Sequence, residues 1–188
     1  MMTSSIRDYA EKIGETLAKI LSAADAGQLQ RLAAEIEMKR ANRVFVYGKG
    51  RSGMVMRMFA MRLMHLGLTV YVVDETVTPA IGKQDLLLIA SGSGKTGSCQ
   101  LMARLAKDAG AAVGLITATP GSSLAQDADF SVILPVKTVV SQPATTRQFG
   151  GSYFEQALLI SLDAVIAYLQ ELFGVTCEFM QSRHSNLE

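Results

Sequence analysis

The chain has little cysteine: Cys99 and Cys177 are the only two in 188 residues. Two thiols so far apart supply neither a disulfide framework nor a repeated metal-ligand spacing. They read as small, mostly buried apolar side chains of a protein in a reducing compartment. An excess of charge of either sign is also missing, since 18 basic against 17 acidic residues leave +1. Gripping a nucleic-acid backbone takes a clustered positive surface, so this balance argues against nucleic acid as a partner. Long apolar runs are lacking too. Arg7, Asp8, Glu11 and Lys12 fall where a secretion signal needs unbroken apolar sequence. The most apolar segment, residues 157–173, is interrupted by Asp163, Gln170 and Glu171 and is short for a bilayer. A soluble, cytoplasmic protein with no membrane partner is expected.

What is present suits one domain spanning residues 1–188. The hydrophobic share is 49% and the charged share 19%, the balance of a folded globular chain large enough to bury a full core. Residues 6–40 show two amphipathic stripes, Ile6, Ile13, Leu17, Ile20 and Leu21, then Leu29, Leu32, Ala33 and Ile36. Both have helical spacing. Beyond residue 40 the pattern alternates. Short apolar runs at 44–47, 69–73, 86–90, 112–117 and 130–134 predict strands; residues 52–66, 97–109 and 152–173 predict helices, with a shorter one near the C-terminus. Gly110 suits a left-handed helix cap. Strand, glycine loop, helix, strand is the signature of a doubly wound parallel sheet flanked by helices. No repeat, low-complexity tract or dividing linker interrupts it. Residues 135–151, with Pro135, Pro143, Gly150 and Gly151, lack periodicity and predict a long loop of the functional kind.

Ligands of such sheets sit at the carboxyl ends of the strands. Two loops there carry unusual chemistry: Gly48-Lys49-Gly50-Arg51-Ser52-Gly53 and Ser91-Gly92-Ser93-Gly94-Lys95-Thr96. Glycines let a ligand approach the backbone, and a following helix aims N–H groups and a partial positive charge at an anion. Ser91, Ser93 and Thr96 add three hydroxyls, a density suited to a terminal phosphate. Each loop has a rival reading. Gly48, Gly50 and Gly53 fit the dinucleotide fingerprint, with Asp74 standing where a ribose-binding acid would. Gly94-Lys95-Thr96 has the tail of a nucleotide P-loop, but Ile89 occupies the position where that motif needs glycine. Both loops also read as ordinary tight turns with capping hydroxyls. Two of them in one sheet favour a ligand.

These residues resemble the sugar isomerase (SIS) domain family, whose signature is a serine- and threonine-rich phosphate loop after a central strand. Within it, the segments 48–53, 59–67, 91–96, Phe154-Glu155-Gln156 and the ending Arg183-His184-Ser185-Asn186-Leu187-Glu188 are similar to the branch that interconverts 3-hexulose 6-phosphate and fructose 6-phosphate. The resemblance implies a five-stranded parallel sheet with the two-helix segment 1–40 packed on it. It also implies a homo-oligomer, a tetramer, with active sites near subunit interfaces, and no metal or organic cofactor. Substrate contacts are implied for Gly50, Ser52, Ser91, Gly92, Ser93, Gly94, Lys95 and Thr96, with Glu155 as general base. It further implies a place in the ribulose monophosphate route of formaldehyde fixation, supplied by 3-hexulose-6-phosphate synthase. Isomerases of arabinose 5-phosphate or sedoheptulose 7-phosphate type, and non-catalytic sugar-phosphate regulators, share the scaffold and stand as alternatives.

Moving a carbonyl from C3 to C2 requires taking the C2 proton, passing through an enediol and returning a proton to C3, which one carboxylate can do. Glu155 is the candidate. Ser152 and Glu155 equally have the spacing of a helix capping box. A helix N-terminus also lowers a carboxylate's basicity, whereas burial beside substrate raises it. His184 is the second candidate, as a proton shuttle to the substrate oxygens; a solvated tail histidine is the plain alternative. His65, near a helix end, reads as dipole complementation and packing. The methionines along 54–64 read as core, and Lys49, Arg51 and Arg147 as charges able to attract phosphate.

Overall fold

The computed structural model describes residues 5–136, 140, 148 and 151–187. The apolar runs become strands because a parallel sheet buried on both faces takes near-continuous aliphatic sequence. β1 is Arg43–Gly48, β2 Thr69–Val72, β3 Leu86–Ala90, β4 Ala112–Thr117 and β5 Phe130–Ile133. All pair in parallel, in the order β2-β1-β3-β4-β5. Central β3 is buried at every residue.

Seven helices surround the sheet among the described residues: α1 Ile6–Ser22, α2 Ala26–Met38, α3 Gly50–His65, α4 Gly97–Asp108, α5 Ser123–Asp127, α6 Ser152–Phe173 and α7 Cys177–Ser182. Strand alternation divides the core. Val44, Val46, Leu86 and Leu88 point to the face covered by α1, α2, α3 and α6. Phe45, Tyr47, Leu87 and Ile89 point to the other, under Cys99, Ala103 and Ala106 of α4 and Leu124 of α5. Ile20, Leu32 and Ile36 are fully buried in the first cluster, so the N-terminal helices share the sheet's core. Burial of each such side chain contributes roughly 1.5–3 kcal/mol.

By length and composition α6 is apolar enough to cross a membrane. Tyr153, Phe154, Ala157, Leu158, Leu162, Val165, Ile166 and Leu169 bury one side of it against α1, α2 and α3, which accounts for that apolarity. It stops at Gly174, whose φ of 62° is left-handed. Gly110, at φ 80°, likewise follows α4.

Several sequence expectations need correction. α3 starts at Gly50 rather than 52, because Lys49 is extended and caps it. The five-residue α5 is too short to show periodicity and was not foreseen. Cys177 is exposed, unlike buried Cys99. Met56 is core, but Met54, Met58 and Met61 face outward on α3. Arg147, Pro143, Gly150 and Glu188 lie outside the described residues, as does most of the expected 135–151 loop.

Candidate active site

Gly48 at the end of β1 and Ala90 at the end of β3 are register partners, so both glycine loops leave the sheet side by side. β1 connects through α3 to β2 on one side, and β3 through α4 to β4 on the other. Between them the strand order reverses, which opens a crevice at the carboxyl edge. The fingerprint spacing of the first loop has a packing cause. A Cβ on Gly53 would lie 2.5 Å from the Gly48 carbonyl oxygen, so strand and helix meet here only as glycines. Asp74, the acid of the dinucleotide rival, accepts from Lys49 Nζ at 2.8 Å instead. That bond raises the lysine's pKa and lowers the carboxyl's.

The second loop is tied down through its carbonyls. Gly92 O accepts from Thr117 Oγ1 at 3.3 Å, Thr119 Oγ1 at 3.0 Å and the Ala118 N–H at 3.2 Å. Gly94 O accepts from the Leu124 N–H at 3.3 Å and Ser123 Oγ at 3.4 Å. Gly94 is left-handed at φ 62°, and a Cβ there would stand 2.0 Å from Ser122 Oγ. Buried Ser91 bonds Thr96 across the turn, Oγ to Oγ1 at 3.1 Å, and Ser93 Oγ accepts the Lys95 N–H at 3.2 Å. The Gly92 and Gly94 carbonyls thus hold the turn against the 117–124 segment. The 117–123 segment was missed as a support, although its run of Thr117, Thr119, Ser122 and Ser123 was visible in the sequence.

Helix capping separates this place from the rest of the molecule. α1, α2, α5 and α7 begin with side-chain caps from Ser5, Asp25, Ser122 and Thr176. α3, α4 and α6 begin at Lys49, Thr96 and Gly151 without a side-chain cap bond. These three helices start beside the two loops. Each N-terminus carries orphan N–H groups and about half a positive charge, features that suit an anion. Ser52 is buried in the first turn of α3, and Ser93 and Lys95 are exposed on the loop.

Glu155 sits in the first turns of α6. Phe154 beside it lies against the 91–96 loop: a Cβ on Gly92 would be 2.9 Å from its ring. The capping-box expectation fails, because Gly151 is the N-cap and the Glu155 carboxylate instead accepts from Arg51 Nε. Arg51 therefore joins Glu155 to the first loop, a role its reading as a loose phosphate attractor missed. Arg51, Glu155 and Gln156 also line a cavity of about 210 Å³ between α3 and α6. No group of three or more His, Cys, Asp and Glu able to hold a metal occurs among the described residues.

His184 is placed elsewhere. Its ring stacks on that of His65, centroids 5.4 Å apart, at the C-terminal end of α3. Arg51, and with it Glu155, stands at the opposite end. The 14 residues from Arg51 to His65 span about 21 Å at 1.5 Å per helical residue. One chain thus does not bring its own two candidate catalytic residues together. His65 is packed as expected, at 2% exposure; burial, then the charges of Arg62, His184 and Arg183, lower its pKa, which opposes the dipole.

Fold and site together define an α/β domain with two glycine loops at the switch point of its parallel sheet. Within that class the chain belongs to the SIS domain family, whose model matches residues 37–151. A 3-hexulose-6-phosphate isomerase of Mycobacterium gastri is 43% identical over 188 residues, covering 100% of this chain and 92% of that protein. Another, of Bacillus subtilis, is 41% identical over 150 residues, covering 79% of this chain and 81% of its own. A solved structure from Methanococcus jannaschii, from which a 3-hexulose-6-phosphate isomerase function was inferred, superposes with a TM-score of 0.83. It is 33% identical and covers 95% of this chain and 98% of that one.

Proposed function

We propose that this chain is an isomerase interconverting 3-hexulose 6-phosphate and fructose 6-phosphate. The observation that carries it is the packing of the Ser91–Thr96 turn against the helix start that bears Glu155, in a chain so similar to isomerases of this reaction. The phosphate ester is held by Ser91, Gly92, Ser93, Gly94, Lys95 and Thr96, aided by the α4 N-terminus. Gly50 and Ser52 contact it from the first loop.

Anchoring the phosphate delivers the carbon chain to Glu155. The carboxylate takes the C2 proton, the C2–C3 enediol forms, and the same group returns a proton to C3. The remaining proton moves from the C2 oxygen to the C3 oxygen, the step assigned to His184. No metal or organic cofactor enters the scheme. In 3-hexulose 6-phosphate the C6 oxygen is esterified, so no five-membered ring closes on C3 and the substrate arrives open. Ring opening arises only for fructose 6-phosphate.

Because His184 stacks on His65 while Glu155 pairs with Arg51, about 21 Å away at the other end of α3, we assign His184 to the site of a neighbouring copy in a homo-oligomer, a tetramer. Exposed Met54, Met58 and Met61, one helical face between the two ends of α3, offer an apolar surface for that neighbour. A cytoplasmic location and supply by 3-hexulose-6-phosphate synthase complete the assignment. The test is conversion of 3-hexulose 6-phosphate to fructose 6-phosphate, followed by carbon NMR without added metal or nucleotide. A folded protein that leaves the substrate unchanged refutes the assignment.

A further inference from the structure

We propose that His65 is a positioning residue for His184, an inference that rests on reading His184 as the proton shuttle. Four basic groups meet at the C-terminal end of α3: Arg62 and His65 on the helix, Arg183 and His184 just beyond α7. A buried histidine at a helix C-terminus would ordinarily gain a proton from the dipole. Here geometry says otherwise. Arg62 Nη1 approaches His65 Nδ1 at 3.4 Å, and a guanidinium can only donate. An Nδ1 that accepts from Arg62 carries the lone pair, which leaves the imidazole neutral with its proton on Nε2. Its burial, at 2% exposure, acts in the same direction.

Neutrality matters to the neighbour. A shuttling imidazole must alternate between neutral and cationic forms, and a cation 5.4 Å away would oppose the second. Neutral His65 instead supplies a flat face at 23° to the His184 ring and fixes that ring's plane without adding charge. The rest of the tail is fastened around this contact. Arg183 Nε donates to Met64 O at 2.8 Å, and the Phe179 ring lies over Gly67, where a Cβ would be 3.6 Å away. Those contacts hold the tail's backbone; the stack with His65 orients the His184 ring.

The experiment compares wild type, His65→Ala, His65→Phe and His184→Ala. It measures kcat and KM from fructose 6-phosphate, together with the rate of tryptic cleavage after Arg183, which a docked tail resists. His65→Ala is expected to lower kcat at least about tenfold, toward the His184→Ala value, with KM within about twofold, the pattern of a lost transition-state contribution. Cleavage after Arg183 is expected to accelerate. His65→Phe, which retains an aromatic face, is expected to recover most of both. Wild-type kcat and wild-type protection in His65→Ala overturn the inference, as does a folded His65→Phe no better than His65→Ala. If His184→Ala itself keeps full turnover, the shuttle reading fails first, and this inference with it. An impaired His184→Ala beside an unimpaired His65→Ala removes the positioning role alone.

Discussion

Glu155→Gln changes one atom at the point where the mechanism concentrates its chemistry. Glutamine keeps the length and an acceptor oxygen for Arg51, and leaves the Phe154 contact with Gly92 intact. The ion pair it replaces is lopsided: the Glu155 side chain is 17% exposed and that of Arg51 62%. A pair so open to water is worth at most about 1 kcal/mol, a shift of roughly 2–4 °C in Tm for a chain of this size. Loss of the proposed general base should be a much larger effect. Such groups supply about 10²–10⁴-fold in rate, or roughly 2.7–5.4 kcal/mol of barrier at 1.36 kcal/mol per tenfold. The proposed phosphate contacts lie on the two glycine loops rather than on α6, so affinity for fructose 6-phosphate should stay within about threefold, a difference under 1 kcal/mol. Turnover in both directions, calorimetric binding and thermal unfolding separate these quantities. A variant that keeps more than a tenth of wild-type turnover refutes the base assignment. Collapse of affinity along with turnover would make Glu155 a ligand or a structural post.

Other consequences follow from particular contacts. Gly94→Ala forces a side chain into left-handed backbone 2.0 Å from Ser122 Oγ. It should weaken fructose 6-phosphate binding at least about tenfold, from the 1–2 kcal/mol of backbone strain and the displaced turn; unchanged calorimetric affinity would mean that the turn does not hold the phosphate. If His184 also opens the ring of fructose 6-phosphate, His184→Ala should impair reverse turnover more than forward; equal losses in both directions would remove that role. Mixed with Glu155→Gln and reassembled, His184→Ala should regain reverse activity at about a quarter of sites if each site draws its two residues from different copies; no recovery would place both in one chain. Leu32→Ala, at a fully buried α2 position, should cost about 2–5 kcal/mol in urea unfolding, and a loss under about 1 kcal/mol would detach the N-terminal helices from the core. Burial raises the Asp129 pKa, but the bonds from Lys107 and the Val113 N–H outweigh it and leave it lowered. A folded value below the unfolded one gives stability at neutral pH that disappears as pH falls through the folded value. Asp129→Asn should therefore flatten the loss of stability below about pH 4, and an unaltered acid limb in pH-dependent unfolding would contradict this.

The sequence alone determined the layered fold, because strand and helix are local matters of period and punctuation. β3 and β4 fall where their apolar runs do, α6 fills residues 152–173, and Gly110 takes its left-handed cap, all from neighbours in the chain. The Ser91–Thr96 turn between β3 and α4 was legible for the same reason, since six consecutive residues carry it. The tertiary structure decided everything that depends on separation in space. Ser152 and Glu155 have capping-box spacing, yet Arg51, 104 residues away, takes the carboxylate. His65 and His184 stack across 119 positions although neither looks paired in sequence. Whether Glu155 and His184 share a site turned on the length of α3, a rigid rod that sets them at opposite ends. Local pattern fixes which element a residue joins; only packing fixes which distant side chain it meets, because that depends on the rise of every helix and the register of every strand between them.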